Sequence, residues 1–145
     1  MATVNVYLTF NGNTEEAFNF YKSVFGGEFT YMGRFKDMPA DENCPPPSEE
    51  EGNRIMHVSL PISKETILMA SDSTSFSGDV TFGNNFSVSI NTDNKEEADK
   101  LFNGLSAGGT IIMPMEKTFW GAYFGMFTDK FGVNWMVNFD EVPAN

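Results

Sequence analysis

An internal repeat constrains the fold of this chain more than any other feature of its sequence. Residues 5–27 recur in altered form as residues 85–109. Each copy runs from alternating apolar and polar residues, through a helical pattern, to a glycine pair, which is Gly26-Gly27 in the first copy and Gly108-Gly109 in the second. Glycine supplies the left-handed backbone at which helices often end. The repeat therefore predicts two modules of similar fold.

Each copy begins with a strand and continues with a helix. Apolar residues occupy every second position from Val4 to Phe10 and again from Phe86 to Ile90, which is the period of a strand with one buried face. Asn13 or Thr14 is a suitable cap for the first helix. The residues predicted to share a buried helix face are Ala17, Phe20, Tyr21 and Val24 in the first copy, and Ala98, Leu101, Phe102 and Leu105 in the second.

Three further strands complete each copy. They are predicted at 28–35, 54–62 and 65–71, and at 110–115, 122–128 and 133–139. Both copies then have the order βαβββ, so the predicted fold class is α+β. One such module leaves the face of its sheet away from the helix uncovered, and two modules can cover that face together.

We therefore predict one domain over residues 1–145, with module one at about 1–75 and module two at about 82–142. The two modules would form a curled mixed sheet around a shared cavity, with the helices outside. An acidic, proline-rich loop is predicted at about 37–53. Concave interiors of this kind usually hold small ligands.

Composition narrows the partners and the compartment. Nine Lys and Arg against twenty Asp and Glu give a net charge of −11, which repels phosphate backbones and anionic membranes. No eighteen consecutive residues are apolar, and the N-terminus has no basic, apolar leader pattern. Cys44 is the single cysteine, so neither an internal disulfide nor a zinc site built from thiolates is possible. We expect a cytoplasmic protein with no nucleic-acid or membrane partner.

Several segments are similar to one known superfamily. They are residues 7–13, 19–26, 42–45 (Glu-Asn-Cys-Pro), 118–121 (Thr-Phe-Trp-Gly) and 129–136 (Asp-Lys-Phe-Gly-Val-Asn-Trp-Met). Together with the tandem βαβββ order, they resemble the vicinal oxygen chelate superfamily, which includes glyoxalase I, extradiol dioxygenases and bleomycin-resistance proteins. The closest resemblance is to its PhnB-like branch, some members of which are labelled 3-demethylubiquinone-9 3-methyltransferase. The sequence has no glycine-rich loop between a strand and a helix that could bind a nucleotide cofactor such as S-adenosylmethionine. We therefore expect no cofactor.

The resemblance also implies where a metal would bind. Metal-dependent members place His or Glu on the first and fourth strands of each module, and the matching residues here are Asn5, Met69, Asn85 and Met136. Amides and thioethers are poor ligands for nickel, zinc, iron or manganese. We therefore predict no metal ligands of the usual kind.

His57 is the only histidine, and strand alternation places it on the more polar, inward face of its strand. There it could act as a general base or as a ligand-binding group, with Glu116 as its acid–base partner. A histidine that only stabilises the wall of the sheet, and a Glu116 that is simply exposed, are the structural alternatives. The residues predicted to line the cavity are Asn5, Tyr7, Ser59, Met69, Asn85, Ser87, Trp120, Asn134 and Met136.

Three functions remain open at this stage. The first is a metal-independent protein that binds an unknown small organic molecule, as resistance-type members of the superfamily do. The second is a lyase, isomerase or dioxygenase that uses His57 for acid–base chemistry or as a single metal ligand. The third is a role in protein assembly. The resemblance implies a homodimer for all three.

Overall fold

The computed structural model describes residues 2–39, 43 and 46–141. Cys44 and the rest of the predicted 42–45 motif, apart from Asn43, lie outside the described residues. The chain divides into two compact units, Met1–Thr81 and Phe82–Asn145, and each unit is described by itself. Within the described residues, no helix combines the length and the apolar character needed to cross a membrane.

The first unit contains a four-stranded sheet and one long helix. Its elements are β1 (Val6–Phe10), α1 (Thr14–Phe25), β2 (Tyr31–Arg34), α2 (Glu49–Gly52), β3 (Ile55–Pro61) and β4 (Ile67–Asp72). The strand order is β1-β4-β3-β2. The first and last strands pair in parallel, whereas the other neighbours are antiparallel.

The second unit repeats this arrangement. Its elements are β5 (Val88–Asn91), α3 (Lys95–Ser106), β6 (Thr110–Lys117), β7 (Ala122–Thr128) and β8 (Asn134–Asp140). The strand order is β5-β8-β7-β6, again with a parallel pair between first and last strands. The predicted α+β class and the tandem βαβββ order are confirmed.

Three elements differ from the sequence-based prediction. The strand predicted from Phe86 begins only at Val88, which is opposite Trp135 of β8. A 3-10 turn at Phe35–Asp37 leads into the predicted acidic loop, and that loop contains the short helix α2. The hydroxyl of Ser48 caps α2 by accepting a hydrogen bond from the backbone of Glu51.

Each helix packs on one face of its own sheet. In α1 the buried residues are Thr14, Ala17, Phe18 and Tyr21. The buried face therefore includes Phe18, whereas the predicted Phe20 and Val24 are half-buried. In α3 the predicted stripe is correct, since all four of its residues are buried. The face of the first sheet away from α1 is called the open face below.

The N-terminus of α1 is fixed by an acceptor far away in sequence. Asn13 occupies the cap position but makes no side-chain cap hydrogen bond. Instead, the Asp72 carboxylate accepts hydrogen bonds from the backbone nitrogens of Gly12 and Thr14 and from the Thr14 hydroxyl. Asn13 therefore occupies a predicted cap position, but the acceptor for the first donors of the helix is Asp72, the last residue of β4.

Candidate functional site

Four of the predicted site residues meet on the open face of the first sheet. Met69 on β4 is opposite Tyr7 on β1 and also opposite Ser59 on β3. His57 lies two residues before Ser59, on the same side of β3. On the other side of that strand Val58 and Leu60 are completely buried, so strand alternation separates the core from this polar cluster.

Ile55 does not follow the predicted alternation. It was predicted to share a face with His57 and Ser59, yet it is 1% exposed. The pairing of β2 with β3 shifts register between Gly33 and Arg34, and an irregularity of this kind changes which face a residue occupies. The polar face of β3 therefore starts at His57.

Both ring nitrogens of His57 lie within hydrogen-bond distance of hydroxyl groups. The Tyr7 hydroxyl oxygen is 3.3 Å from Nδ1, and Ser59 Oγ is 2.9 Å from Nε2. The Tyr7 and His57 rings are stacked, with centroids 5.6 Å apart and planes at 29°. The three side chains form a connected row across β1 and β3, and we call it the Tyr7-His57-Ser59 row.

Tyr31 joins this site, although the sequence analysis did not select it. It pairs with Ser59 across β2 and β3, and its ring centroid is 5.8 Å from that of His57. A Cβ atom on Gly33 would lie 2.5 Å from the Tyr31 hydroxyl, so the missing side chain at Gly33 makes room for the ring. An aromatic residue two positions before a glycine is the only sequence signal of this arrangement.

The rings of Tyr7 and Tyr31 are partly exposed to solvent. Tyr7 is 49% exposed and Tyr31 is 48% exposed. Large aromatic surfaces contribute much of the binding energy at recognition sites, and their hydroxyls add direction. The open face of the first sheet therefore offers stacking surfaces beside a set of hydrogen-bonding groups.

Asn5 has a structural role in the first unit. Its side-chain oxygen accepts a hydrogen bond of 3.3 Å from the backbone nitrogen of Ile67. This contact ties the residue before β1 to the start of β4. The predicted cavity residue thus helps to hold the parallel strand pair together.

The second unit brings fewer of its predicted residues into contact with each other. Met136 on β8 is opposite Met126 on β7 and Ser89 on β5, which gives this sheet an adaptable apolar patch. The Asn134 side chain accepts from the Thr128 hydroxyl at 2.7 Å and donates to the carbonyl of Gly83 at 3.0 Å. Asn134 therefore holds the segment before β5 in place.

Asn85 and Ser87 precede β5 and do not belong to its ladder. Asn85 is exposed, and Ser87 is half-buried. Both belong to the segment that leads into the sheet, so their predicted place on a strand is wrong, whereas their predicted contact with a ligand stays a prediction.

Trp120 and Glu116 lie at and near the turn between β6 and β7. The Trp120 ring packs against Phe119 and Phe124 with centroid distances of 4.9 and 6.2 Å and remains 58% exposed. Glu116 is exposed on β6, opposite Phe124. Because Glu116 and His57 lie in different units, their acid–base pairing stays a prediction.

The residues at the four implied metal positions do not fit a catalytic metal site. They offer amides and thioethers, and the oxygen of Asn5 already accepts a backbone hydrogen bond. Divalent transition metals in such sites prefer imidazole and carboxylate ligands. Across residues 2–39, 43 and 46–141, no three His, Cys, Asp or Glu side chains lie close enough to share a metal ion.

A cleft of about 380 Å³ opens elsewhere in the first unit, and none of the predicted site residues lines it. Its charged groups bond to the protein itself. Arg34 donates to Glu15 at 2.7 Å, and this hydrogen bond is the main reason that the pKa of Arg34 is raised above its usual value. Arg54 donates to the carbonyl of Ser73 at 2.9 Å. We interpret these contacts as structural, because they stabilise the ends of the strands.

The sequence and fold of the chain match known proteins over most of its length. Residues 3–137 match the model of the Glyoxalase/Bleomycin resistance protein/Dioxygenase superfamily. Protein YjdN of Escherichia coli (strain K12) is 35% identical over 141 residues, which are 91% of each chain. These matches confirm the resemblance that the sequence motifs predicted.

Two solved structures share the fold. Protein PA1353 from Pseudomonas aeruginosa is 41% identical, with a TM-score of 0.81 over 97% of this chain and 98% of that one. A putative 3-demethylubiquinone-9 3-methyltransferase, PhnB protein, from Bacillus cereus is 28% identical, with a TM-score of 0.70 over 95% of this chain and 99% of that one. The chain therefore belongs to the glyoxalase/bleomycin resistance protein/dioxygenase superfamily.

Proposed function

We propose that this chain binds a small organic molecule on the open face of its first sheet and that it does so without the metal site usual in its superfamily. The observation that carries the proposal is the cluster of Tyr7, Tyr31, His57 and Ser59. It combines two half-exposed aromatic rings with hydroxyl and imidazole groups. Ligand sites typically combine apolar walls with a few polar groups that fix orientation.

Met69 extends the apolar part of this surface. It lies beside Tyr7 on one neighbouring strand and beside Ser59 on the other. A methionine side chain adapts its shape to a flat partner and contacts aromatic rings favourably.

Ligand screening by thermal unfolding tests the proposed binding. A molecule that binds the folded chain at about 100 times its Kd adds about 2.7 kcal/mol to the free energy of unfolding. We expect one class of small organic molecules to raise Tm, and we expect Tyr31→Ala to abolish that rise. Phe76→Ala is the control, because Phe76 is fully exposed and lies between β4 and β5. A rise of Tm that survives Tyr31→Ala would place binding elsewhere.

Elemental analysis of the purified chain tests the metal part of the proposal. We expect well below one transition-metal ion per chain, because amides and thioethers occupy the implied ligand positions. Tightly held stoichiometric metal that is lost in His57→Ala would contradict this proposal. It would favour an enzyme that holds its metal in an unusual way.

Acid–base chemistry at His57 is the second candidate function. Its support is the pair of hydroxyl contacts on the two ring nitrogens, since an imidazole held in this way can accept and donate a proton. A molecule found in the screen can be incubated with the protein in D2O and followed by NMR. Proton exchange or turnover that His57→Gln abolishes, with binding retained, would establish this function.

We also propose that the protein forms a homodimer and that it is located in the cytoplasm. The outer strand β6 carries three consecutive apolar residues, Ile111, Ile112 and Met113, which are 52%, 55% and 45% exposed. Exposed apolar edge strands favour association. Light scattering after gel filtration should give twice the mass of one chain, and Ile112→Lys should shift the protein towards the monomer.

A further inference from the structure

The two hydroxyl contacts of His57 cannot both have the same direction when the ring is neutral. A neutral imidazole has one nitrogen that donates and one that accepts. If Tyr7 donates to Nδ1, then Nε2 must donate to Ser59 Oγ. In the reverse arrangement Ser59 donates to Nε2, and Nδ1 donates to Tyr7. In either case one hydroxyl keeps its own proton for another partner.

The chemistry of the two hydroxyls favours one direction. The phenolic hydroxyl of a tyrosine is far more acidic than the aliphatic hydroxyl of a serine. The more acidic hydroxyl is the better donor to an imidazole nitrogen. This difference favours the direction in which Tyr7 donates to Nδ1 and Nε2 donates to Ser59 Oγ within the Tyr7-His57-Ser59 row. The proton of Ser59 is then available to a ligand.

We propose that Ser59 Oγ donates a hydrogen bond to the carbonyl oxygen of a neutral, planar aromatic ligand that stacks on Tyr31. This inference rests on the proposed function and deepens it. Tyr31 and Ser59 are opposite each other on adjacent strands, so a ring that lies against Tyr31 has its substituent close to the serine hydroxyl. The two halves of the ligand, ring and carbonyl, thus match two neighbouring groups of the site.

Two physical arguments favour a neutral carbonyl group. Hydrogen bonds in a row polarise one another, so a Ser59 hydroxyl that already accepts from Nε2 is a stronger donor than an isolated serine. A carboxylate would also accept this bond, but the net charge of −11 opposes the approach of an anion. A ketone or aldehyde attached to an aromatic ring avoids that repulsion.

NMR of the full chain tests the direction of the hydrogen bonds without any ligand. The protein has one histidine, so the ring nitrogens of ¹⁵N-labelled protein give signals from His57 alone. When the ring is neutral, we expect Nε2 to carry the proton. We expect Tyr7→Phe to shift the Nδ1 signal towards that of a nitrogen without a hydrogen bond. A protonated Nδ1 in the wild-type chain would overturn the proposed direction.

Binding of two matched probes tests the ligand class. Acetophenone has the aromatic ketone, and α-methylstyrene replaces its oxygen with a CH₂ group while keeping the planar shape. Removal of a donor weakens binding only of the ligand that accepts its hydrogen bond. We therefore expect Ser59→Ala to weaken acetophenone binding about tenfold and to leave α-methylstyrene binding unchanged within about twofold. Ser63→Ala, in the exposed turn after β3, is the control and should change neither.

The possible outcomes separate this inference from the proposed function. Equal loss of both probes in Ser59→Ala, or α-methylstyrene binding as tight as acetophenone binding, overturns the carbonyl class. If other molecules bind and require Tyr31 but acetophenone does not bind, the ligand class is wrong and the proposed function stands. If no molecule binds at this face, both are overturned.

Discussion

The hydroxyl of Thr14 donates a hydrogen bond of 2.6 Å to the carboxylate of Asp72, and both residues are buried although 58 positions separate them in the sequence. The same carboxylate also accepts hydrogen bonds from the backbone nitrogens of Gly12 and Ile55, at 3.1 and 2.8 Å. One side chain at the end of β4 therefore satisfies the start of α1 and the start of β3. With the backbone nitrogen of Thr14, four donors, three buried and one part-buried, would lose their acceptor if Asp72 were removed.

Replacement of Asp72 should destabilise the first unit strongly. Buried donors without a partner cost about 1–3 kcal/mol each, so we expect Asp72→Ala to lower the free energy of unfolding by about 3 kcal/mol or more. Urea denaturation followed by circular dichroism measures the change. Asp79→Ala is the matched control, because Asp79 is exposed. Equal stability of the two variants would contradict this role of Asp72.

Gly33→Ala should alter the candidate site without unfolding the protein. The new Cβ would meet the hydroxyl of Tyr31, which is the free end of a side chain and can move away. We expect the free energy of unfolding to fall by less than about 1 kcal/mol and the Tyr31 and His57 ring signals to shift in NMR spectra. Gly83→Ala is the control, since its Cβ would make only an ordinary contact. Unchanged Tyr31 signals would show that the ring does not depend on Gly33.

Trp135→Phe should lower the free energy of unfolding much more than Trp120→Phe does. Trp135 is completely buried, and its indole nitrogen donates a hydrogen bond of 2.8 Å to Asp129. Removal of the donor leaves a buried carboxylate oxygen with one partner fewer, so we expect a loss of about 2 kcal/mol. Trp120 is 58% exposed, and its replacement should change stability by less than about 0.5 kcal/mol. Chemical denaturation of both variants, followed by circular dichroism, checks the ranking.

Tyr123 should titrate at unusually high pH. Its hydroxyl donates a hydrogen bond of 2.6 Å to Asp99, and this bond, together with burial, raises the pKa of Tyr123 to about 12 from 10.0. The protonated tyrosine is therefore favoured in the folded chain. This contribution to stability is complete below about pH 10 and is lost as the pH rises through the folded value of about 12. Ultraviolet titration should show the high pKa, and Asp99→Asn should lower it.

Strand alternation predicted Tyr7, His57, Ser59 and Met69 on the open face of the first sheet. His57 and Ser59 were placed correctly because β3 alternates regularly from Val58 to Leu60, with buried residues on one side only. Ile55 was misplaced because the register shift near Gly33 is a property of strand pairing. A single strand read alone does not show such a shift. The helix of the second copy was predicted fully because its apolar residues follow the helical period.

Tyr31 and Asp72 were missed for a different reason. The sequence of β2 is Tyr-Met-Gly-Arg, which has no apolar and polar alternation to mark one face as functional. The role of Asp72 depends on contacts with Thr14 and Ile55, which are 58 and 17 positions away. Rules for helix caps consider only the residues near the helix end, so they cannot identify an acceptor on a distant strand.

The distant cap of α1 also determines the order in which a growing chain can fold. During synthesis, the ribosome releases Thr14 long before Asp72, and 58 residues separate the two. Until then the helix start lacks its acceptor, and α1 lacks β3 and β4, the strands against which it packs. A ribosome that pauses within this interval would leave an apolar surface exposed to chaperones and to other nascent chains.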